Sequence, residues 1–251
     1  MRRRSELESA AREYEALVGW TRRQQVRQVA GAVRAIEEVL RATAARLREE
    51  IRRIPRGILG DRYQRELLAA VERELDRFRA EYRGLLDQNI VEAARIIERR
   101  ETGLLDALLR VRHAMEPGAA ALLDGARVGG HFGQVPARVL ERAYLRIYPN
   151  GTRLQGILQD LSEEGGARIR RSILEALARG DGPRALMRPI RDELLRDGVD
   201  NARYRAERIA RTEISTAYRE AHVASVTRPD GGLVPWVSAI GWRLSSAHRV
   251  P

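Results

Sequence analysis

Only a few residues of this chain are of a type and placement that could do chemistry, and Glu213 is the one whose position needs an account. It lies in Arg208-Ile209-Ala210-Arg211-Thr212-Glu213-Ile214-Ser215-Thr216-Ala217-Tyr218, or RIARTEISTAY. At roughly 100° per residue, Ala206, Ala210, Ala217, Ala221 and Ala224 share one narrow helical face, with Ile209 and Ile214 at its edges. Glu213 falls in the middle of that face, while Glu207, Arg211, Tyr218 and His222 line up on a more polar side. An ionised carboxylate against an alanine face is costly unless it is paired and hydrogen-bonded. Short alanines admit a close neighbouring helix, and the preceding helices offer Arg184, Arg188 and Arg191, or Arg170 and Arg171. The expectation is an arginine clamp on Glu213 that fixes the register of this part of the chain. The rival is that Glu213 ligates a metal or acts as an acid or base.

Other catalytic constellations find little support. There is no cysteine, so disulfides, thiolate metal sites and cysteine nucleophiles are excluded within this chain. No GxSxG elbow or HExxH occurs. The four histidines, His113, His131, His222 and His248, are too scattered to suggest a metal site. Gly129-Gly130 has no Walker lysine and follows no strand, so it does not read as a phosphate loop. Glu207 and Arg211 stand in the favourable i to i+4 order for an ion pair. No cofactor and no reaction are expected.

The elements that must position Glu213 are helices. Aromatic residues make up 5% of the 251 residues and charged ones 32%, a balance suited to long charged helices rather than sheets. Leu7, Ala11, Tyr14 and Val18, then Val29, Val33, Ile36, Leu40, Ala44, Leu47, Ile51 and Ile54, return every three or four positions. They predict one amphipathic helix of roughly 70 Å, weakened where Gln24 and Gln25 occupy the seam. Pro55 to Gly60 stops it, and Asp61 is placed to cap a second helix. That helix carries Leu68, Val71, Leu75, Phe78, Tyr82, Leu85, Ile90, Ala93, Ile97, Leu104, Leu108 and Val111, and ends near Met115. Two long stripes joined by a short turn predict an antiparallel hairpin over 1–116.

A Gly-rich segment, 117–136, reads as a linker to a compact helical module over 137–251. Short helices are expected at 137–147, 152–162, 166–179 and 183–196, then the helix containing Glu213. A Trp-bearing stretch from Gly231 onward reads as a small hairpin or paired strands. The fold class is mostly α with a small C-terminal β element.

The net charge is +11, and all 46 basic residues are arginine. Such a balance implies affinity for polyanions, although a GC-rich genome or a warm habitat would also explain the missing lysine. Residues 1–56 hold 14 arginines against 8 acids, a net of +6, whereas 57–115 hold 11 of each. Arg27, Arg34, Arg41 and Arg48 recur at seven-residue intervals in the basic first helix. They form either a solvated flank whose aliphatic stems cover the seam or a contact strip for double-stranded DNA or an acidic protein. No apolar run approaches the ~18 residues of a membrane span. MRRRSELESAAREYE has no apolar core to act as a secretory signal, so synthesis in the cytoplasm is expected.

Three segments in order resemble the phage head morphogenesis family, the minor capsid proteins typified by the phage Mu F protein. They are ILEALARGDGPRALMRPIRDEL, then ARYRAERIARTEISTAYREAHVAS with its IARTE hallmark, then WVSAIGWRLSSAH with a Trp-containing segment ending in a Ser-x-x-His element. The resemblance covers about a third of the chain, from about Ile173 to His248. In relatives the His element usually runs on into Asp and Cys residues; the sequence stops at Val250-Pro251, just after His248, either because the natural protein ends early or because this is a truncated or processed form. The resemblance implies a structural virion protein present in few copies near the portal or head interior, partnered with portal or major capsid protein and close to packaged DNA. It carries over Arg211, Thr212 and Glu213 as hallmark positions, and Trp242 and His248 as the C-terminal element, with no established reaction. The other reading of the charge is a nonspecific nucleic-acid-binding protein outside any virion.

Overall fold

The computed structural model describes residues 2–53, 61–112, 135–160 and 198–226, with 163, 167 and 171. Its principal elements are four helices: α1 (Arg2–Arg53), α2 (Asp61–Arg110), α3 (Val135–Leu145) and α4 (Gly198–Val226). A further helical segment occupies 154–160. The mostly α expectation holds. The small β element expected from Gly231 onward lies outside the described residues, as do 183–196 and most of the 117–136 linker.

α1 and α2 form the expected antiparallel hairpin, because partners that rise in number on one helix fall on the other. Glu13 pairs with Arg110, Gln28 Nε2 donates to the Asn89 carbonyl at 2.7 Å, and Arg46 Nε reaches Glu74 at 2.7 Å. Arg73 closes the far end on Glu50 at 3.1 Å. Arg46 is the hub. Its Nη2 also meets Glu81 at 3.1 Å and Thr43 Oγ1 at 3.2 Å, while Arg77 takes the other oxygen of Glu74. Glu74 is thus a buried charge that is paired twice.

The weak part of the α1 seam does not interrupt the helix, because its polar groups are satisfied across the hairpin and along the backbone. Thr21 is buried and donates to the Leu17 carbonyl one turn back, and Gln28 bonds α2. The register at the start of α1 differs from the expectation by one residue: Ala10 is buried and Ala11 is exposed. The two alanines lie about 100° apart around α1, so at this end α2 covers a side of the helix displaced from the one that Leu7, Ala11, Tyr14 and Val18 mark. On α2, Leu67, Leu86 and Ile96 are buried alongside the expected Val71, Phe78, Tyr82, Ile90, Ala93 and Ile97.

α4 lies on the hairpin and runs parallel to α2. Tyr82 OH donates to the Ala206 carbonyl at 2.8 Å, and Glu101 meets His222 at 3.0 Å, so both helices advance together. One core runs from Ile36 and Leu40 of α1 through Tyr82 and Ile90 of α2 to Val139 of α3 and Ile214 of α4. The hairpin and the Glu213 helix therefore share a core across the expected linker. α3 is fastened to α2 by Tyr144, whose hydroxyl donates to Asp87 and whose ring sits 5.0 Å from the Arg83 guanidinium.

Two helical glycines face open space: a Cβ added at Gly31 or Gly84 meets nothing within 4 Å. Gly31→Ala and Gly84→Ala should each raise stability by about 0.5–1 kcal/mol through helix propensity, read as a shift in the denaturation midpoint. Gly103→Ala should gain less, because its Cβ would stand 3.1 Å from Leu17 Cδ1. Equal gains at all three positions would show that the close α1–α2 approach at Leu17 is not restrictive.

Candidate functional site

Glu213 is 2% exposed, as its place on the alanine face requires. Ala206, Ala210, Ala217, Ala221 and Ala224 are all buried around it. The polar side is narrower than expected: Tyr218 is buried and His222 half-buried, whereas Arg211 is exposed and pairs with Glu207 at 3.3 Å. The physical reason is that α4 packs against α1, α2 and α3 together. Three neighbours bury an arc of about 140°, wider than an alanine stripe, at ~100° per residue.

The clamp on Glu213 exists, and its described partners come from an unexpected place. Arg146 Nη1 donates to Glu213 Oε2 at 3.0 Å and to Oε1 at 3.3 Å, and Tyr148 OH donates to Oε1. The other arm of Arg146, Nη2, donates to Glu220 Oε1 at 2.6 Å. One arginine therefore spans two carboxylates seven residues apart on α4. Arg184, Arg188, Arg191 and Arg170 lie outside the described residues, and Arg171 is exposed.

Arg146 and Tyr148 are aimed by a tight turn that follows α3. Tyr148-Pro149-Asn150-Gly151-Thr152 closes with Gly151 N to the Tyr148 carbonyl at 2.8 Å and Tyr148 N to the Thr152 carbonyl at 2.8 Å. Ile147 and Arg153 pair as an antiparallel bridge. Pro149 supplies the fixed φ of the first turn position, and Asn150 Oδ1 accepts from Thr152 N and Oγ1. Gly151, at φ 76°, occupies the left-handed position that a three-residue hairpin loop needs. Sequence reasoning treated this stretch as a gap between helices; Pro-Asn-Gly was the signal that could have found the turn.

The electrostatics follow from this geometry. Burial pushes the Glu213 carboxyl above its ordinary 4.5; Tyr148 and Arg146 pull it back, and Glu220 adds repulsion. Burial and Glu213 raise the Tyr148 phenol, so it remains a donor. A cavity of about 220 Å³ opens beside the clamp, lined by Tyr148, Asn150, Asp160, Arg205, Arg208, Thr212 and Glu213 itself. Among the described residues no group of three His, Asp or Glu could hold a metal ion. The Glu213 carboxylate is thus bonded by both a guanidinium and a phenol. Of the hallmark positions, Glu213 faces the core, Thr212 borders the cavity and Arg211 faces solvent. Trp242 and His248 lie outside the described residues.

The row on α1 is only partly continuous. Arg27, Arg34 and Arg41 are exposed, but Arg48 is half-buried with its Nε unpartnered. A seven-residue step drifts by ~20° each time around a straight helix, and by Arg48 the drift has carried the row toward the hairpin seam.

His222 has a structural role that its scattered sequence position did not announce. Its Nδ1 lies 2.6 Å from Arg100 Nη2 and 3.0 Å from Glu101 Oε1. Burial pushes the Glu101 carboxyl up, but His222 and Arg100 more than offset it, and the group ends below its ordinary 4.5.

Removing Arg146 leaves Glu213 buried without its cation, so Arg146→Ala should lose about 3–5 kcal/mol in chemical denaturation. Glu213→Gln should lose less, and the double variant should lose more than Glu213→Gln alone, because Glu220 also loses its cation, but less than the sum of the two single losses; strictly additive losses would mean that the two side chains do not act as a pair. A second expectation concerns acid. Because the folded value of Glu101 is depressed, its contribution is complete above pH 4.5 and disappears as pH falls through the folded value. Glu213 has the opposite sign, its ionisation counting against folding as pH rises through its raised value. Glu101→Gln should therefore flatten the loss of stability below pH 4.5, and an unchanged acid limb in pH-resolved denaturation would contradict this.

No protein-family model, curated protein or solved structure matches the chain, so the resemblance carried by the IARTE helix rests on its quoted residues.

Proposed function

We propose that this chain is a structural minor head protein of a phage or prophage, assembled with portal or major capsid protein near the portal or in the head interior. It is made in the host cytoplasm and resident in the virion, and it has no reaction of its own. The observation that supports this reading is the use made of the hallmark carboxylate. Both Glu213 oxygens accept hydrogen bonds, from Arg146 and Tyr148, and these bonds hold the α3 turn to α4. A family defined by assembly rather than catalysis would retain such a residue for rigidity.

The test is a pull-down of the full chain against the portal and major capsid proteins encoded beside its gene, repeated after nuclease and at raised salt. Retention of one of them through both treatments is the expected result. Loss of every partner once nucleic acid is digested would remove the head-assembly reading and leave nucleic-acid binding as the primary activity.

A further inference from the structure

One surface of the molecule is not accounted for by packing or by the Glu213 clamp. Between Ala16 and Ile36, α1 contains four arginines and no carboxylate. Counting about 100° per residue, Arg12, Arg23, Arg27, Arg34 and Arg41 fall within an arc of about 60°, on the side turned away from Ile36. All five are exposed. Among the described residues, none of Arg12, Arg23, Arg27 and Arg34 has a carboxylate within ion-pair distance; the first acid met is Glu37, 3.3 Å from Arg41. The solvent side of α2 is built differently, with Arg62 on Glu66, Arg79 on Asp76, and Arg95 and Arg99 on Glu92. Arg23 and Arg27 are also like charges at i and i+4, an arrangement that weakens a helix. Folding alone gives no reason for such a stripe.

We infer that this face of α1 is a binding surface for the phosphate backbone of double-stranded DNA, without sequence preference. From Arg12 to Arg41 the stripe spans about 43 Å at ~1.5 Å per residue, more than the ~34 Å of one duplex turn. Guanidinium forks match phosphate oxygens, and contacts of this kind position a protein without reading bases. The stripe carries no exposed aromatic ring: Trp20, at its edge, is half-buried and packs against the core. Single-stranded nucleic acid is gripped through such rings, and protein partners through aromatic and aliphatic anchors. The one large apolar side chain standing out here is Val26, 70% exposed, too little for a membrane-binding face. A long, straight row of one charge matches a regular phosphate array.

This inference does not depend on the head-protein reading, and its test uses the full chain alone. Binding to a labelled duplex of mixed sequence is followed by fluorescence anisotropy across a salt series. R23Q/R27Q/R34Q is compared with R62Q/R95Q/R99Q, which removes the same charge from exposed, ion-paired positions on α2. Helicity of both is checked by circular dichroism, glutamine being a good helix former. The stripe variant should weaken binding by at least about tenfold and make the salt slope shallower by about 2.7, from ~0.9 per phosphate contact. The α2 variant should change either quantity little. Equal losses in the two variants would assign binding to net charge and overturn the proposal. Preference for a single strand or for polyglutamate over the duplex would overturn it too, as would failure of the unmodified chain to bind.

Discussion

Everything around the IARTE helix depends on how one carboxylate is kept out of water. Glu213 cannot be buried among alanines unless its charge is met at close range, and the groups that meet it stand at the start of a five-residue turn, Tyr148, and just before it, Arg146. Arg146 is one fifth exposed, and it reaches inward to Glu213 and sideways to Glu220. The pair therefore asks little of the rest of the chain except that the turn be placed accurately. That placement comes from Pro149, Asn150 and the left-handed Gly151, three residues whose conformational preferences agree with one another. The alanines have a complementary task, since only small side chains allow the turn and α2 to approach the helix closely enough for these bonds to form.

The hairpin uses the same device at a second place. Glu74 is buried between α1 and α2 and is met by Arg46 and Arg77. In a chain with few aromatic residues and no cysteine, register is specified by arginine bridging acids across helices, while aliphatic and alanine contacts supply most of the buried area. Glu101, paired with Arg100 of its own helix, is met from α4 by His222 rather than by an arginine, and this ties α2 to α4. In each case the carboxylate is nearly or fully buried and the cation keeps some contact with solvent, consistent with the weaker hydration of a delocalised guanidinium.

How much of this was legible beforehand differed by element. The two long helices were readable because a 3.6-residue period sustained over fifty positions admits few alternatives. Burial of Glu213, and its need for an arginine, followed from one residue standing on an alanine face. The identity of the partner did not follow, because 67 positions separate Arg146 from Glu213 and pattern along a chain carries no information about contacts at that distance. Tyr218 was misplaced for a related reason: periodicity shows where the apolar centre of a helix lies but not how many neighbours will surround it. The arginine row was drawn through Arg48 because a heptad count ignores the drift of a straight helix, and the same count passed over Arg12 and Arg23, which share the face without the spacing.

The bonds that seat α4 are made across long stretches of chain. Tyr82 reaches Ala206 over 124 positions and Glu101 reaches His222 over 121, whereas the hairpin is laced by pairs as near as 23 and 28. Closing a larger loop removes more chain entropy, though only slowly with its length, and α4 recovers that loss at a few polar anchors along an otherwise alanine-lined contact. The molecule is therefore uneven in its topology. A locally connected pair of long helices forms a platform, and the helix carrying the IARTE sequence is attached to it by contacts of high sequence separation.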